Sequence, residues 1–296
     1  MQKTIKKVAI TGGTHGNELT GVYLINKFKK SPNLVQRDGF ETIIMHNNLK
    51  AIQKCTRYID KDLNRAFKTE DLNDPNKADY EDLLAKVINA KLGPKGSEYP
   101  KVDFIVDLHS TTSNMGLSIV IDEGSKLTWQ VAAYLKEMEP RVNIFRWKGD
   151  TEDVSFVNSI AKNGFAIEVG AIPQGVLRSD LFFDTEKLKH HILDFVEKLN
   201  NKKFQKNYTS IEIYDHKELL DFPRDENGNI TAMVHPSLQD KDYTKLKKGD
   251  PLFITLEGES INYEKDEEVY PLFVNEAAYY EKGFAMCLTE KKVIKI

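Results

Sequence analysis

Only two cysteines occur in the 296 residues, Cys55 and Cys287, and they stand far apart in no metal-knuckle or redox spacing. That argues against a disulfide-framed scaffold and fits two reduced thiols in a cytoplasmic protein. No apolar run approaches the roughly 20 residues of a membrane span. The basic start, with Lys3, Lys6 and Lys7, leads straight into an apolar run and lacks the cleavage pattern of a signal peptide. Neither sign of charge dominates: 42 Lys and Arg against 45 Asp and Glu leave −3. That balance supports neither a nucleic-acid partner nor an anionic membrane surface. No internal repeat and no low-complexity tract is present. What remains is a globular composition, 40% hydrophobic and 29% charged, in a chain long enough for one large or two smaller domains.

Apolar periodicity sets the expected architecture. Val8, Ala9 and Ile10 form a short buried-strand run that breaks at Gly12-Gly13. An amphipathic helix opens at Leu19, with Val22 and Tyr23 following. Further strands are expected over 41–46, 102–108, 117–121, 142–145 and 165–169. Helices are expected from Tyr80 to the Gly93-Pro94 stop, from Leu127 to Met138, over 154–162 and over 184–200. Strands alternating with helices imply an α/β layer architecture, mostly parallel and covered on both faces. Past Asn200-Asn201-Lys202-Lys203 the helical periodicity fades. Short β runs then alternate with turn signals such as Asp225-Glu226-Asn227-Gly228 and Lys247-Lys248-Gly249-Asp250. The expected organisation is an α/β domain over 1–202 and a smaller β-rich domain over 203–296.

The turn after the first strand carries chemistry. Thr14-His15-Gly16-Asn17-Glu18 delivers an imidazole and, three residues on, a carboxylate, which share one side of a helical turn and can converge on a metal. Alternatively, Glu18 merely complements a helix N-terminus and His15 is a solvated loop residue. His109 directly follows the strand 102–108, and in open α/β sheets the carboxyl ends of strands line the ligand crevice. Two histidines and a glutamate with a fourth corner left for water make a catalytic zinc set. Asp107 stands where it can orient the His109 ring. The bland alternative for His109 is a strand-end hydrogen-bonder. His46, His190, His191, His216 and His235 fall in less suitable surroundings and are not expected to touch the metal.

Metal-assisted hydrolysis also needs a proton acceptor and donor. Glu168 suits that role, because a carboxylate in an apolar strand end costs several kcal/mol, roughly, unless it is paired or used. A buried salt bridge is its alternative. Arg57, Asn64 and Arg65 lie in one polar loop. Arginine forks suit carboxylates and oxyanions, and Asn64 adds an amide donor. A solvated loop neutralised by Asp60 and Asp62 is the competing reading.

These segments, with Cys55-Thr56-Arg57-Tyr58-Ile59-Asp60, Asp62-Leu63-Asn64-Arg65, Ile167-Glu168-Val169-Gly170, Pro173-Gln174-Gly175-Val176-Leu177-Arg178 and Val274-Asn275-Glu276-Ala277-Ala278-Tyr279-Tyr280-Glu281-Lys282, resemble the aspartoacylase/succinylglutamate desuccinylase family in order along nearly the whole chain. The resemblance implies a zinc-carboxypeptidase-like mixed sheet flanked by helices, with a C-terminal β-rich domain covering the site. It implies one Zn2+ per chain on His15, Glu18 and His109. Glu168 is the implied proton shuttle, Arg57 the carbonyl polariser, and Asn64, Arg65 and Tyr279 the contacts to the substrate carboxylate. The implied substrate is a small N-acyl amino acid, N-acetyl-L-aspartate foremost, in a cytoplasmic enzyme for which a homodimer is one assembly left open. Three positions depart from the family pattern. Asn158 stands where an arginine is expected to bind the aspartyl side chain, Val154 replaces a tyrosine, and Gly283 replaces a basic residue. Arg178, Lys148 or Lys162 would have to supply the missing cation; otherwise a less acidic acyl amino acid is preferred. Deacylation of neutral or aromatic substrates therefore stays open. So do a carboxypeptidase, which a covering domain disfavours, and a metal-dependent binding protein without turnover. A phosphate loop is disfavoured because the glycine-rich turn has no lysine in place.

Overall fold

The structure, a computed structural model, describes residues 4–122, 124–149 and 153–296. In chain order its first part contains β1 (Lys7–Gly12), α1 (Leu19–Lys30), β2 (Glu41–His46), α2 (Leu49–Lys54), α3 (Thr69–Asn73) and α4 (Tyr80–Leu92). Then come β3 (Phe104–Ser110), β4 (Gly116–Ile121), α5 (Lys126–Met138), β5 (Val142–Arg146), β6 (Gly164–Gly170) and α6 (Ser179–Asn200). The remainder is β-rich: β7 (Ser210–Leu220), β8 (Ala232–Val234), β9 (Pro251–Thr255), β10 (Ser260–Asn262), β11 (Tyr270–Leu272) and β12 (Met286–Lys295). Nine strands form one mixed sheet in the order β11-β12-β7-β5-β4-β6-β3-β1-β2, and β10-β9-β8 form a second. No helix among the described residues is long and apolar enough to cross a membrane.

Side-chain alternation divides the large sheet into a packing face and a working face. Val8 and Ile10 of β1, Phe104, Val106 and Leu108 of β3, Leu117 and Ile119 of β4, and Phe165 and Ile167 of β6 share one core with α1, α5 and α6. The intervening residues point the other way. Ala9 and Ile105 pack with α4 in a second core, and the C-terminal ends of β3 and β6 carry Asp107, His109 and Glu168 on that side, joined by Ser118 from the first half of the antiparallel β4. Register brings these together: His109 lies beside Glu168 across the parallel β3–β6 pair, and Ser118 lies opposite Glu168 across the antiparallel β4–β6 pair.

The sheet continues beyond the α/β half. β7 pairs with β5 in parallel, and β12 and β11 extend the same edge antiparallel. Fully buried Asp215 on β7 fastens this junction, accepting from Arg146 at 2.6 and 2.8 Å and from Lys148 at 2.7 Å.

Two local expectations give way. The helix expected over 154–162 is, over the described residues, a single 3-10 turn, Val157–Ile160. The groups a helix would pair internally are engaged elsewhere: Val157 N donates to Asn64 Oδ1 at 2.9 Å, and Val154 O accepts from Lys95 Nζ and Ser159 Oγ. The last helix of the first half starts at Ser179 rather than near 184, gaining a turn that the sequence 179–183 does not advertise.

Candidate metal centre and substrate cavity

Two glycines build the turn after β1. Gly13 has φ +67, a left-handed value that side-chain-bearing residues rarely adopt. A Cβ on Gly16 would sit 2.0 Å from the Ala51 carbonyl carbon, so only glycine lets this turn lie against α2. Gly16 N then reaches Arg57 O at 3.3 Å, which joins the turn to the arginine loop.

His15, Glu18 and His109 are all buried, and one ligand atom from each lies within 4.8 Å of the others. Glu18 stands between the two rings: Oε1 is 2.6 Å from His15 Nδ1 and Oε2 is 2.8 Å from His109 Nδ1. The far nitrogens are held from behind by carboxylates. His15 Nε2 is 2.9 Å from Asp62 Oδ1, and His109 Nε2 is 2.6 Å from Asp107 Oδ2. Asp107 is fixed in turn by the hydroxyls of Thr11 (2.7 Å) and Thr14 (2.8 Å), and Asn47 donates to Thr14 Oγ1 at 2.8 Å. A carboxylate behind each imidazole is the arrangement that presents the opposite nitrogen to a metal ion. Once metal binding displaces the ring protons, two imidazole nitrogens and one carboxylate oxygen are a donor set that suits zinc. These residues fit the metal.

The electrostatics follow the same geometry. Burial opposes ionisation of Glu18, but the His15 and His109 imidazoles hold its carboxyl below the usual carboxylate range. Burial disfavours the charged His109 ring, and the Asp107 and Glu18 carboxylates outweigh it, raising its pKa well above the ordinary value. Glu168 moves the other way. Burial and the nearby Glu18 carboxylate push it well above a normal glutamate, against the pull of His109 and Arg57. One carboxylate held ionised and a second poised to carry a proton is a division of labour set by environment.

One cavity is lined by His15, Glu18, Arg57, Asn64, Arg65 and His109, and also by Asn158, Glu168 and Tyr279. All nine candidate positions therefore meet in one place. Arg57 is anchored by Nη1 to Glu18 Oε1 and Nη2 to Asp62 Oδ2, both 3.2 Å, while its buried Nε has no hydrogen-bond partner among the described residues. That leaves a desolvated donor beside the candidate metal ligands. Arg65 lies 5.1 Å over the Phe156 ring. The lining also has an apolar part, with Val120, Phe145, Trp147 and Phe273. His46 is elsewhere, its Nε2 3.1 Å from Val22 O, and none of His190, His191, His216 and His235 lines the cavity.

Of the three departures from the family pattern, Asn158 alone lines this cavity. It is buried, with Nδ2 3.2 Å from Asp122 Oδ2. Val154 lines a larger outer cavity that shares Arg65, Trp147 and Phe156 with the inner one. Gly283 ends the 3-10 turn Ala277–Lys282 at φ +71, a position where a basic side chain would be strained. Lys148 and Lys162 line the outer cavity, and Arg178 is exposed and paired with Asp180. None of the three reaches the inner wall.

Two residues at the site escaped sequence reasoning. Asp62 looks like an ordinary loop acid, since its partner His15 is 47 positions away. Glu276 looks like a helix-cap residue. It is buried, and its Oε2 accepts from Thr112 N (2.7 Å), Thr112 Oγ1 (2.9 Å), Ser113 N (3.2 Å) and the Thr111 hydroxyl, while Oε1 accepts from Ala278 N (3.0 Å). This carboxylate bolts the turn carrying Tyr279 onto the loop that follows His109. Glu276→Ala should lower stability by about 1–3 kcal/mol for each donor left unsatisfied and raise KM about tenfold, the worth of one hydrogen bond to a charged group. Chemical denaturation and steady-state kinetics on the same preparation check both halves. A KM left at the wild-type value would remove Glu276 from substrate placement.

Residues 4–196 match the family description "Succinylglutamate desuccinylase/Aspartoacylase catalytic domain", and residues 209–291 match "AstE/AspA barrel-sandwich hybrid domain". A probable aspartoacylase of Trichodesmium erythraeum is 48% identical over 294 residues, covering 99% of this chain and 100% of that protein. The N-acyl-aromatic-L-amino acid amidohydrolase (carboxylate-forming) of Homo sapiens is 39% identical over 98% of this chain and 92% of its own length. The crystal structure of murine aminoacylase 3 superposes with a TM-score of 0.94 at 37% identity, covering 100% of this chain and 98% of that one. With both segments matched and the fold shared along the full length, the chain belongs to the succinylglutamate desuccinylase/aspartoacylase family.

Proposed function

We propose that the chain is a zinc-dependent amidohydrolase that deacylates small N-acyl amino acids, with N-acetyl-L-aspartate giving acetate and L-aspartate as the first candidate reaction. The observation that carries this reading is the convergence of His15, Glu18 and His109, each imidazole backed by a carboxylate, in one cavity with Glu168. When bound by those three side chains, zinc supplies the Lewis acidity that acidifies a water and polarises a carbonyl. Glu168 takes the proton of the attacking water and returns it to the leaving amine, so that amide and water become carboxylate and amine. Arg57, on the cavity wall, stabilises the carbonyl oxygen as charge builds there. Asn64, Arg65 and Tyr279 grip the substrate carboxylate. Residues 203–296 act as a cover, because Phe273, Ala278 and Tyr279 close one side of the cavity and favour small substrates over peptides. Two unpaired thiols, Cys55 exposed and Cys287 buried, support a reducing cytoplasmic setting.

A second reading, deacylation of neutral or aromatic N-acyl amino acids, is favoured by Asn158 and the Val120–Phe145–Trp147–Phe273 wall. Competition between N-acetyl-L-aspartate and N-acetyl-L-tyrosine separates the two. Asn158→Arg should shift the kcat/KM ratio toward N-acetyl-L-aspartate by about ten- to a hundred-fold, the roughly 1.5–3 kcal/mol of a charge-assisted hydrogen bond. An unchanged ratio would show that position 158 does not read the substrate side chain. Hydrolysis of neither substrate by the metal-loaded wild-type enzyme would overturn the deacylase reading.

A further inference from the structure

Buried carboxylates are costly unless they are paired or used. Glu81, in the first turn of α4, is 0% exposed and does not line the catalytic cavity. Its partners are four N–H donors. Oε1 accepts from Asn48 Nδ2 at 2.9 Å and Ile59 N at 2.8 Å, and Oε2 accepts from Asp60 N at 3.0 Å and Lys61 N at 3.2 Å. Three successive backbone amides thus fold around one carboxylate. The segment they belong to runs between Arg57 and Asp62. The grip is reciprocal: Asp60 Oδ2 accepts from Tyr80 N at 2.9 Å, and the Lys61 ammonium pairs with Asp82. Asn48 extends the anchor to the metal turn, since its own amide donates to Gly13 O at 3.0 Å.

We propose that Glu81 is a positioning residue for catalysis, holding the 57–62 loop so that Arg57 faces the cavity and Asp62 backs the His15 ring. The inference rests on the hydrolase reading above for the roles of Arg57 and Asp62. An acceptor-only anion is what four converging donors require, and the helix N-terminus beside it favours negative charge. Glutamine would set its own N–H groups against two of the four donors. Loop position, and with it the aim of Arg57, would then relax.

The test combines a structural and a kinetic readout on the metal-loaded full chain. Hydrogen exchange over residues 55–62 is compared between wild type and Glu81→Gln. kcat and KM for N-acetyl-L-aspartate and N-acetyl-L-tyrosine are measured for wild type, Glu81→Gln, Arg57→Ala and the double variant. Exchange at 59–61 should quicken, and kcat should fall about tenfold with KM moved less than about threefold, because Arg57 acts in the transition state. The double variant should fall by clearly less than the product of the two single losses, since Glu81→Gln acts in large part through the Arg57 guanidinium. Unchanged exchange, wild-type kcat in Glu81→Gln, or a double variant that falls by the product of the two single losses would each overturn the proposal. Full activity in Arg57→Ala, or no hydrolysis of either substrate by wild type, would instead overturn the reading beneath it, while the exchange comparison still decides whether Glu81 anchors the loop. If Glu81→Gln does not fold, Glu81→Asp, which keeps the charge and withdraws it by one methylene, goes through the same cycle.

Discussion

Glu168→Gln should lower kcat by about 10²–10⁴-fold, the usual contribution of a positioned acid–base group, with KM nearly unchanged. The substitution is close to isosteric, and β6 keeps its register with β3 and β4 on either side. The fold is therefore expected to survive, and thermal unfolding checks that it does. The pH profile gives an independent readout. Glu168 must be ionised to accept a proton, so activity falls as pH drops through its pKa. Burial and Glu18 raise that pKa, and His109 and Arg57 restrain it. Zinc on the neighbouring His109 and Glu18 would pull the pKa back down, and the wild-type acid limb should disappear in Glu168→Gln. A variant that retained most of its turnover, or kept the same acid limb, would take the proton shuttle away from this residue.

Stripping the metal should abolish turnover, because the proposed reaction relies on zinc to acidify the attacking water. The ligands themselves predict a graded series. His109→Ala removes a donor atom outright and should leave the protein unable to hold one equivalent of zinc. Asp107→Asn leaves all three ligands and alters only what stands behind His109 Nε2, 2.6 Å away. Loss of such a supporting partner typically costs about 10–100-fold in metal affinity or activity. Zinc content measured after dialysis, alongside turnover, should therefore rank wild type above Asp107→Asn and Asp107→Asn above His109→Ala. Equal zinc content in all three would place the metal elsewhere.

Much of this site was legible because it lies at strand ends. His15, His109 and Glu168 each follow or close an apolar run, and such ends converge on one crevice in an α/β sheet whatever the order of the strands. The alternation that buries Leu108 and Ile167 sends His109 and Glu168 to the same face, which is a local property of sequence. What escaped depends on distant partners. Asp62, Glu81 and Glu276 gain their roles from atoms up to 165 positions away, and no spacing rule marks them. The 154–162 segment misled for a similar reason. Its apolar spacing is helical, but Asn64 and Lys95 claim the backbone groups that a helix needs. The continuation of the sheet through β7 and β12 was equally hidden. Alternation identifies a strand without naming the edge it joins.

Zinc reconstitution is the decisive experiment. Chelator-stripped protein is titrated with zinc while hydrolysis of N-acetyl-L-aspartate and N-acetyl-L-tyrosine is followed in parallel. Turnover should be absent before zinc, recover to saturation at one equivalent per chain, and stay absent in His109→Ala. Turnover by the stripped protein, or full recovery in His109→Ala, would contradict the zinc-dependent mechanism.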